Sequence, residues 1–332
     1  MAEAAGWSTI ESDEGVFTSL IESLGVKDAQ FEELISLDAD TIRSLSPVYG
    51  VVFLFKWTRA QTQSLTPSTP QDGTYDPAAA DSDSVFFASQ TIQNACGTQA
   101  VLSVIFNQDR NNTSRKDAGK GIDIGPDLAS FKDFTAGFPP DLRGEALSNS
   151  ESIRSAHNAF AKASPFVDET ARTGDEDPAD VFHFIAYVPV NGVLYELDGL
   201  QPHPINHGAC SMDGDGQGDG KGEAFADKVI GVIQRRIARY PEGETRFNLM
   251  AVVRDLRVRA AEIGDQEMLE REERKRRQWA WENALRRSNF VGFIGEVAKG
   301  VVGHKESTGG YQDWVEKAKG ETTKKLELRR EL

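Results

Sequence analysis

The chain has 332 residues, a formal charge of −15, and only two cysteines, Cys96 and Cys210. That length suits one large globular domain with an appendage, the cysteine count excludes a disulfide framework, and the acidity argues against nucleic acid as a partner while favouring a basic one or serving solubility alone. No run approaches the roughly eighteen apolar residues of a membrane helix, and Met1-Ala2-Glu3 opens without the basic and apolar regions of a signal peptide, so a cytoplasmic and nuclear protein with no membrane association is expected.

Residues 7 to 45 read as helical, since Val16, Phe17, Leu20, Ile21 and Leu24 recur at helical spacing before a stop at Gly25. The run 48–55, Val-Tyr-Gly-Val-Val-Phe-Leu-Phe, is β-branched and aromatic and predicts a buried strand. Residues 58 to 82, rich in Gln, Thr, Ser, Pro and Asp, offer too little apolar surface to pack and predict a flexible loop, with regular structure resuming at Val85-Phe86-Phe87. A helix is expected from Asn149 to Phe160, followed by a mobile acidic loop from Ser164 to Asp180. Strands over 181–190 and 193–198, a helix over about 224–239 and a strand from Arg246 to Val253 complete the domain. Beyond Asp255 the pattern becomes a long charged helix with Trp279, Trp281, Leu285 and Phe290 interleaved. The alternating aspartates and glycines of 213–220 resemble a calcium loop, but Ala224 stands where the bidentate glutamate belongs, which leaves a glycine-rich surface loop and no metal.

Cys96 sits just before an apolar helical run that continues through Val104 and Ile105. Unpaired N–H groups at a helix start favour negative charge, which suits a thiolate. Asn94 offers itself as the cap of that helix. Attack on a carbonyl needs donors already aimed at the developing oxyanion, and Gln90, six residues upstream, can supply a side-chain amide beside the Cys96 backbone N–H. A cysteine at a helix start is by itself more often a small buried hydrophobe, and it is the flanking pattern that argues for a nucleophile.

Among the five histidines, His183 stands out, because its strand-like run ends at Val190 and Asn191-Gly192 is a strong hairpin signal. A two-residue loop makes Val190 face Val193, so paired positions sum to 383, His183 opposes Leu200, and Asp198 becomes its diagonal neighbour at about 7–8 Å between backbones. A carboxylate holding one imidazole nitrogen while the other faces a thiol is the arrangement a general base requires. His203, His207 and Cys210 hint at zinc, but Pro202 and Pro204 break any regular presentation of ligands.

Three segments, Gln90 to Leu102, Phe182-His183-Phe184 through Leu200, and Arg246 to Ala251, closely resemble the ubiquitin C-terminal hydrolases, and Trp7 to Phe17 and Pro47 to Trp57 extend the resemblance over nearly all of 6–256. It is closest to the long, proteasome-associated members. Ser103 stands where short members carry a histidine, and Lys275 to Lys319 match the extra C-terminal helices. The resemblance implies an α/β (α+β) papain-like cysteine hydrolase with a central antiparallel sheet flanked by helices, acting without cofactor on bonds at the C-terminal glycine of ubiquitin. It implies Cys96 as nucleophile, His183 as general base and acid, Asp198 as its orienter and Gln90 as oxyanion donor. It further implies that 164–180 is a crossover loop above the site, and that the helical extension over 257–332 binds the adaptor domain of a proteasomal ubiquitin receptor. Two rivals differ in class: an acyltransferase with the same residue order, for which no coenzyme site is legible, and a scaffold that retains the fold without turnover.

Overall fold

In this computed structural model the described residues are 6–57, 69–92, 94–111, 121–161, 182–211 and 223–330. The strands are β1 (Ala29–Glu33), β2 (Val48–Lys56), β3 (Thr74–Tyr75), β4 (Phe182–Val190), β5 (Val193–Leu197), β6 (Ile205–Ser211), β7 (Glu223–Ala224) and β8 (Asn248–Arg254). They form one sheet in the order β1-β8-β2-β4-β5-β6-β3, antiparallel throughout, with β7 joined to β6 in parallel. The strands β2, β4 and β8 are buried on both faces, which is why they read as continuous apolar runs rather than alternating ones.

One face of the sheet shares a core with α1 (Glu14–Ser23) and α4 (Cys96–Asn107), through Phe17, Leu20, Val101 and Ile105 against Val52, Phe184, Ala186 and Val252. The other face shares a core with α2 (Ala39–Ser44) and α8 (Phe225–Ile237), through Ile42, Val229 and Ile233 against Val51, Phe53, Ile185 and Tyr187. The helices α3 (Pro77–Asp81), α5 (Gly125–Phe134), α6 (Pro140–Asn149) and α7 (Glu151–Asn158) complete this part of the chain.

The turn and register of the expected hairpin are present, but the ladder stops at Ala186↔Leu197, so His183 is not paired with Leu200. Asn191 and Gly192 take φ of 53° and 84°, the left-handed pair a two-residue turn needs, and the ladder runs from Val190↔Val193 to Ala186↔Leu197. Several expectations need correction. Within 7–45, strand β1 interrupts the helices, because Ala29 to Glu33 pair along β8 and tertiary pairing overrides their helix propensity. Within 58–82, Asp76 caps α3 through Ala79 N–H, and β3 pairs with β6, so the described part from 69 onward is structured. Residues 85–88 are buried yet irregular rather than a strand.

Beyond β8 the charged stretch divides into α9 (Leu256–Ile263) and α10 (Gln266–Arg287), then α11 (Val291–Ser307) and α12 (Tyr311–Arg330). Helix α10 packs on α1. Trp279 is buried where Gly15 leaves room, since a Cβ at position 15 lies 2.5 Å from Trp279 Cγ. The cations of α10 meet acids of the N-terminal segment: Arg286 bonds Glu11 and Asp13 at 2.9 and 2.7 Å, and Lys275 bonds Glu32 at 2.7 Å. The chain accordingly forms two compact units that divide after Arg287. In the second unit, Phe293, Ile294, Val297 and Val301 of α11 are exposed. Among the described residues no helix is long and apolar enough to cross a membrane.

Candidate active site

Cys96 occupies the first turn of α4 and is half-buried. The expected cap is absent: the N-cap residue is Ala95, with no side-chain acceptor. Asn94 instead takes φ of 68° and donates its Nδ2 to the Trp7 carbonyl at 3.2 Å, turning the chain into the helix without occupying its N–H groups. First-turn amides left without a side-chain acceptor are the ones an anion at Cys96 faces.

His183, near the start of β4, is buried, and its Nε2–H donates to Asp198 Oδ1 at 2.7 Å. Its other ring nitrogen is left for a further partner, and Cys96 is among the groups that act on the imidazole. Strand pairing ends at Leu197, so the chain turns at Asp198 and brings its carboxylate to the ring from just beyond the ladder. Asp198 also accepts from Leu200 N–H at 3.0 Å and from Gln201 Nε2 at 3.3 Å. Burial pushes His183 towards neutrality, but the Asp198 charge and hydrogen bond, with Cys96 adding to them, raise it to about 9. Burial also pushes Asp198 up, and the charge and hydrogen bond of His183 outweigh this and hold it below the usual carboxylate range.

Gln90 is tied to the same turn, its backbone N–H donating to the Gly199 carbonyl at 2.8 Å while its side-chain Nε2 donates to the Ile92 carbonyl at 3.1 Å. The amide therefore faces the loop leading to Cys96, with a second N–H to offer. The irregular segment carrying Gln90 is held by neighbouring backbone. Ser89 N–H donates to the Pro140 carbonyl at 2.8 Å, and a Cβ at Gly144 lies only 1.9 Å from the Ser89 carbonyl oxygen.

The residues singled out in the sequence lie on two stretches of chain, Gln90 to Cys96 and the hairpin from His183 to Asp198, joined where Gln90 N–H donates to the Gly199 carbonyl. The acidic stretch 164–180 and the segment 213–220 lie outside the described residues. Sequence reasoning missed the residues that hold the four together. Gln99, buried one turn beyond Cys96, donates Nε2 to the Ala88 carbonyl at 2.5 Å, and a Cβ at Gly199 lies 2.3 Å from that nitrogen. Gly199 had a visible signal, as a glycine after the candidate carboxylate, but it suggests only a turn. A cavity of about 150 Å³ opens behind Asp198, lined by Phe55, Tyr187, Glu196, Gln201 and Arg236 among others.

A thiol, an imidazole and a buried carboxylate in series, with an amide donor beside the thiol, perform acyl transfer. Residues 7–238 match the family model of ubiquitin carboxyl-terminal hydrolase, family 1, and residues 265–305 match a second model described as ubiquitin carboxyl-terminal hydrolases. The chain belongs to the ubiquitin carboxyl-terminal hydrolase family. It is similar to ubiquitin carboxyl-terminal hydrolase 2 of Schizosaccharomyces pombe, 45% identical over 94% of this chain and 96% of that protein. It is 34% identical to ubiquitin carboxyl-terminal hydrolase ubh-4 of Caenorhabditis elegans over 99% of both. Among solved structures, Trichinella spiralis UCH37 bound to ubiquitin vinyl methyl ester covers 84% of this chain and 98% of its own, at 33% identity and a TM-score of 0.58. As a long member of this family, the chain is a cysteine-type deubiquitinase that hydrolyses bonds at the C-terminal glycine of ubiquitin.

Proposed function

We propose that Cys96 is the nucleophile of this hydrolysis, His183 its general base and acid, Asp198 the carboxylate that orients the imidazole, and Gln90 the side-chain oxyanion donor. The observation that supports this reading is the buried His183–Asp198 pair, its oxygen 2.7 Å from the ring nitrogen, with Cys96 among the groups that raise the same imidazole. An imidazole raised to about 9 holds the proton taken from the thiol at neutral pH. The sulfur attacks the carbonyl carbon of ubiquitin's last glycine, and the carbonyl electron pair moves to oxygen between the Gln90 amide and the Cys96 N–H. Collapse breaks the bond to the leaving group, which takes its proton from His183. Water then gives a proton to His183 and attacks the thioester, releasing ubiquitin and restoring the thiol.

The hydrolase domain spans 6–256 in this reading, and the helical extension over 257–332 binds the adaptor domain of a proteasomal ubiquitin receptor, so that the enzyme works on ubiquitin conjugates at proteasomes in the cytoplasm and nucleus. The apolar row Phe293, Ile294, Val297 and Val301 supports an adaptor contact, and two cysteines that form no disulfide suit a reducing compartment.

Cys96→Ala should abolish cleavage of a fluorogenic C-terminal ubiquitin amide while the variant still binds ubiquitin. Reaction with ubiquitin vinyl methyl ester followed by peptide mapping should find the adduct on Cys96. Turnover by the alanine variant at the wild-type rate overturns the assignment. Ile294→Asp with Val297→Asp should remove co-sedimentation with proteasomes and leave cleavage of the small amide intact.

A further inference from the structure

The nucleophile arrives on α4 from one face of the sheet, whereas the imidazole and its carboxylate belong to the other. His183 shares strand parity with Ile185 and Tyr187, which lie in the core with α8, Glu196 faces Tyr187 across the β4–β5 ladder, and Asp198 lines the same cavity as Glu196 and Tyr187. Into this layer α8 delivers a guanidinium. Arg236 is 14% exposed in its side chain and donates Nη1 to Glu196 Oε1 at 2.6 Å, while its Cζ lies 4.4 Å from the centre of the Phe55 ring. Phe55 is the ladder partner of His183 and meets the imidazole edge-on at 5.7 Å between ring centres. Arg236 therefore touches both neighbours of the pair: the carboxylate two residues before Asp198, and the ring opposite His183.

Among the described residues, the charged and titratable groups around this chamber are His183 and Tyr187 from β4, Glu196 from β5, Tyr75 from β3, His207 from β6, Asp72, and Arg236 and Arg239 from α8 and its end. Asp72 already holds Arg235 at 3.0 Å and Arg239 at 3.8 Å, so those cations are matched to another carboxylate. His207 Nε2 meets Glu196 at 3.0 Å, a bond that a neutral imidazole makes as well, whereas a guanidinium is always charged. Two carboxylates two residues apart in apolar surroundings do not both stay ionised without cations to match them.

We infer that Arg236 is a positioning residue for the hydrolysis: by occupying Glu196 with a permanent charge, it leaves the ionised Asp198 carboxylate to the His183 imidazole alone. The inference rests on the catalytic reading given above. Burial pushes Asp198 up, His183 pulls it down, and Arg236 adds to that pull, as the arrangement requires. Without the guanidinium, Glu196 and Asp198 compete for the remaining cations, and the carboxylate that takes up a proton no longer orients the ring.

The test measures kcat/KM for a fluorogenic C-terminal ubiquitin amide from about pH 8 down to about pH 2.5, in brief assays in the full chain, normalised to active sites titrated with ubiquitin vinyl methyl ester. Arg236→Met should move the acid limb up by about one pH unit, the size of a nearby charge's effect on a buried carboxylate. Arg236→Gln, which keeps a donor for Glu196 and removes only the charge, should do the same and serves where the Met variant does not fold. The double variant Arg236→Gln with Glu196→Gln should bring the limb back to its wild-type position, since Asp198 then has no competitor. A merely structural arginine reduces the titrated active sites and leaves the limb in place, which overturns the inference, as does a double variant whose limb stays raised. Asp198→Asn, run alongside, separates the two claims. If it leaves the rate unchanged, the catalytic reading fails; if it depresses the rate while the Arg236 variants leave the limb unmoved, the inference alone fails.

Discussion

His183 with Asp198 and His207 with Glu196 are two buried imidazole–carboxylate pairs in neighbouring parts of one sheet, both bonded through Nε2, at 2.7 and 3.0 Å. Their surroundings make them different instruments. Glu196 also accepts from Arg236 at 2.6 Å, so its charge is shared with a permanent cation. The further partners of Asp198 are neutral donors, the Leu200 N–H and the Gln201 amide, which steady the carboxylate without spending its charge. The first imidazole is raised by Asp198 and further by Cys96, a thiol in the first turn of a helix whose first amides carry no side-chain cap. The second closes an internal ion network. A buried histidine beside a carboxylate becomes a base only where that carboxylate's charge is uncommitted and a nucleophile is presented to the other nitrogen.

Replacing each histidine breaks the comparison most directly. His183→Ala should lower kcat on the fluorogenic ubiquitin amide by about a thousandfold or more, the upper range of base catalysis. His207→Ala should leave kcat within roughly threefold and lower the thermal midpoint, because it removes a buried partner of Glu196 and nothing the substrate meets. A comparable loss of rate in both would dissolve the distinction. Asp198→Asn comes next, with a fall in kcat of about a hundredfold or more, since the amide no longer favours the imidazolium or its orientation. In the same variant the alkaline limb, expected near 9 in the wild type from the raised His183, should move down, and a stationary limb would assign it to another group.

Gly199→Ala tests the scaffold rather than the charges. A Cβ there lies 2.3 Å from Gln99 Nε2 and 3.0 Å from Gln90, so overpacking should cost about 1–3 kcal/mol in chemical denaturation and reduce kcat, by displacing Gln90 and the Asp198 turn together. The smallest effect is on stability as a function of pH. His183 is raised above its ordinary 6.5 to about 9 in the folded chain, so its contribution is fully present below about 6.5 and is lost as pH rises through 9. The thermal midpoint should fall over that interval in the wild type and fall less in Asp198→Asn.

Part of the fold was legible where neighbours in sequence decide the structure. The Asn191-Gly192 turn sets the β4–β5 register through two left-handed residues, while the turn after Leu197, beyond the ladder, brings Asp198 to His183. The strand at 48–56 and the helix at 225–237 were legible from composition and periodicity. Strand β1 was not, because Ala29 to Glu33 include good helix formers and become a strand only by pairing with β8, more than two hundred residues away. Helix α10 looked like part of a separate appendage, yet Trp279 and its flanking cations bury against α1 through partners at Glu11, Asp13 and Gly15.

The sequence by itself determined the candidate set proposed as reactive. Cys96 at a helix start, Gln90 upstream, and His183 with Asp198 across a two-residue turn are local or near-local patterns, and the family they resemble is the family the chain belongs to. Tertiary structure alone decided how that set is held and charged: Gln99 and Gly199 locking two turns together, and Arg236 reaching Glu196 across the sheet. Packing distance and the matching of buried charges depend on which residues the folded chain brings within a few ångströms, and periodicity along the chain carries no record of that.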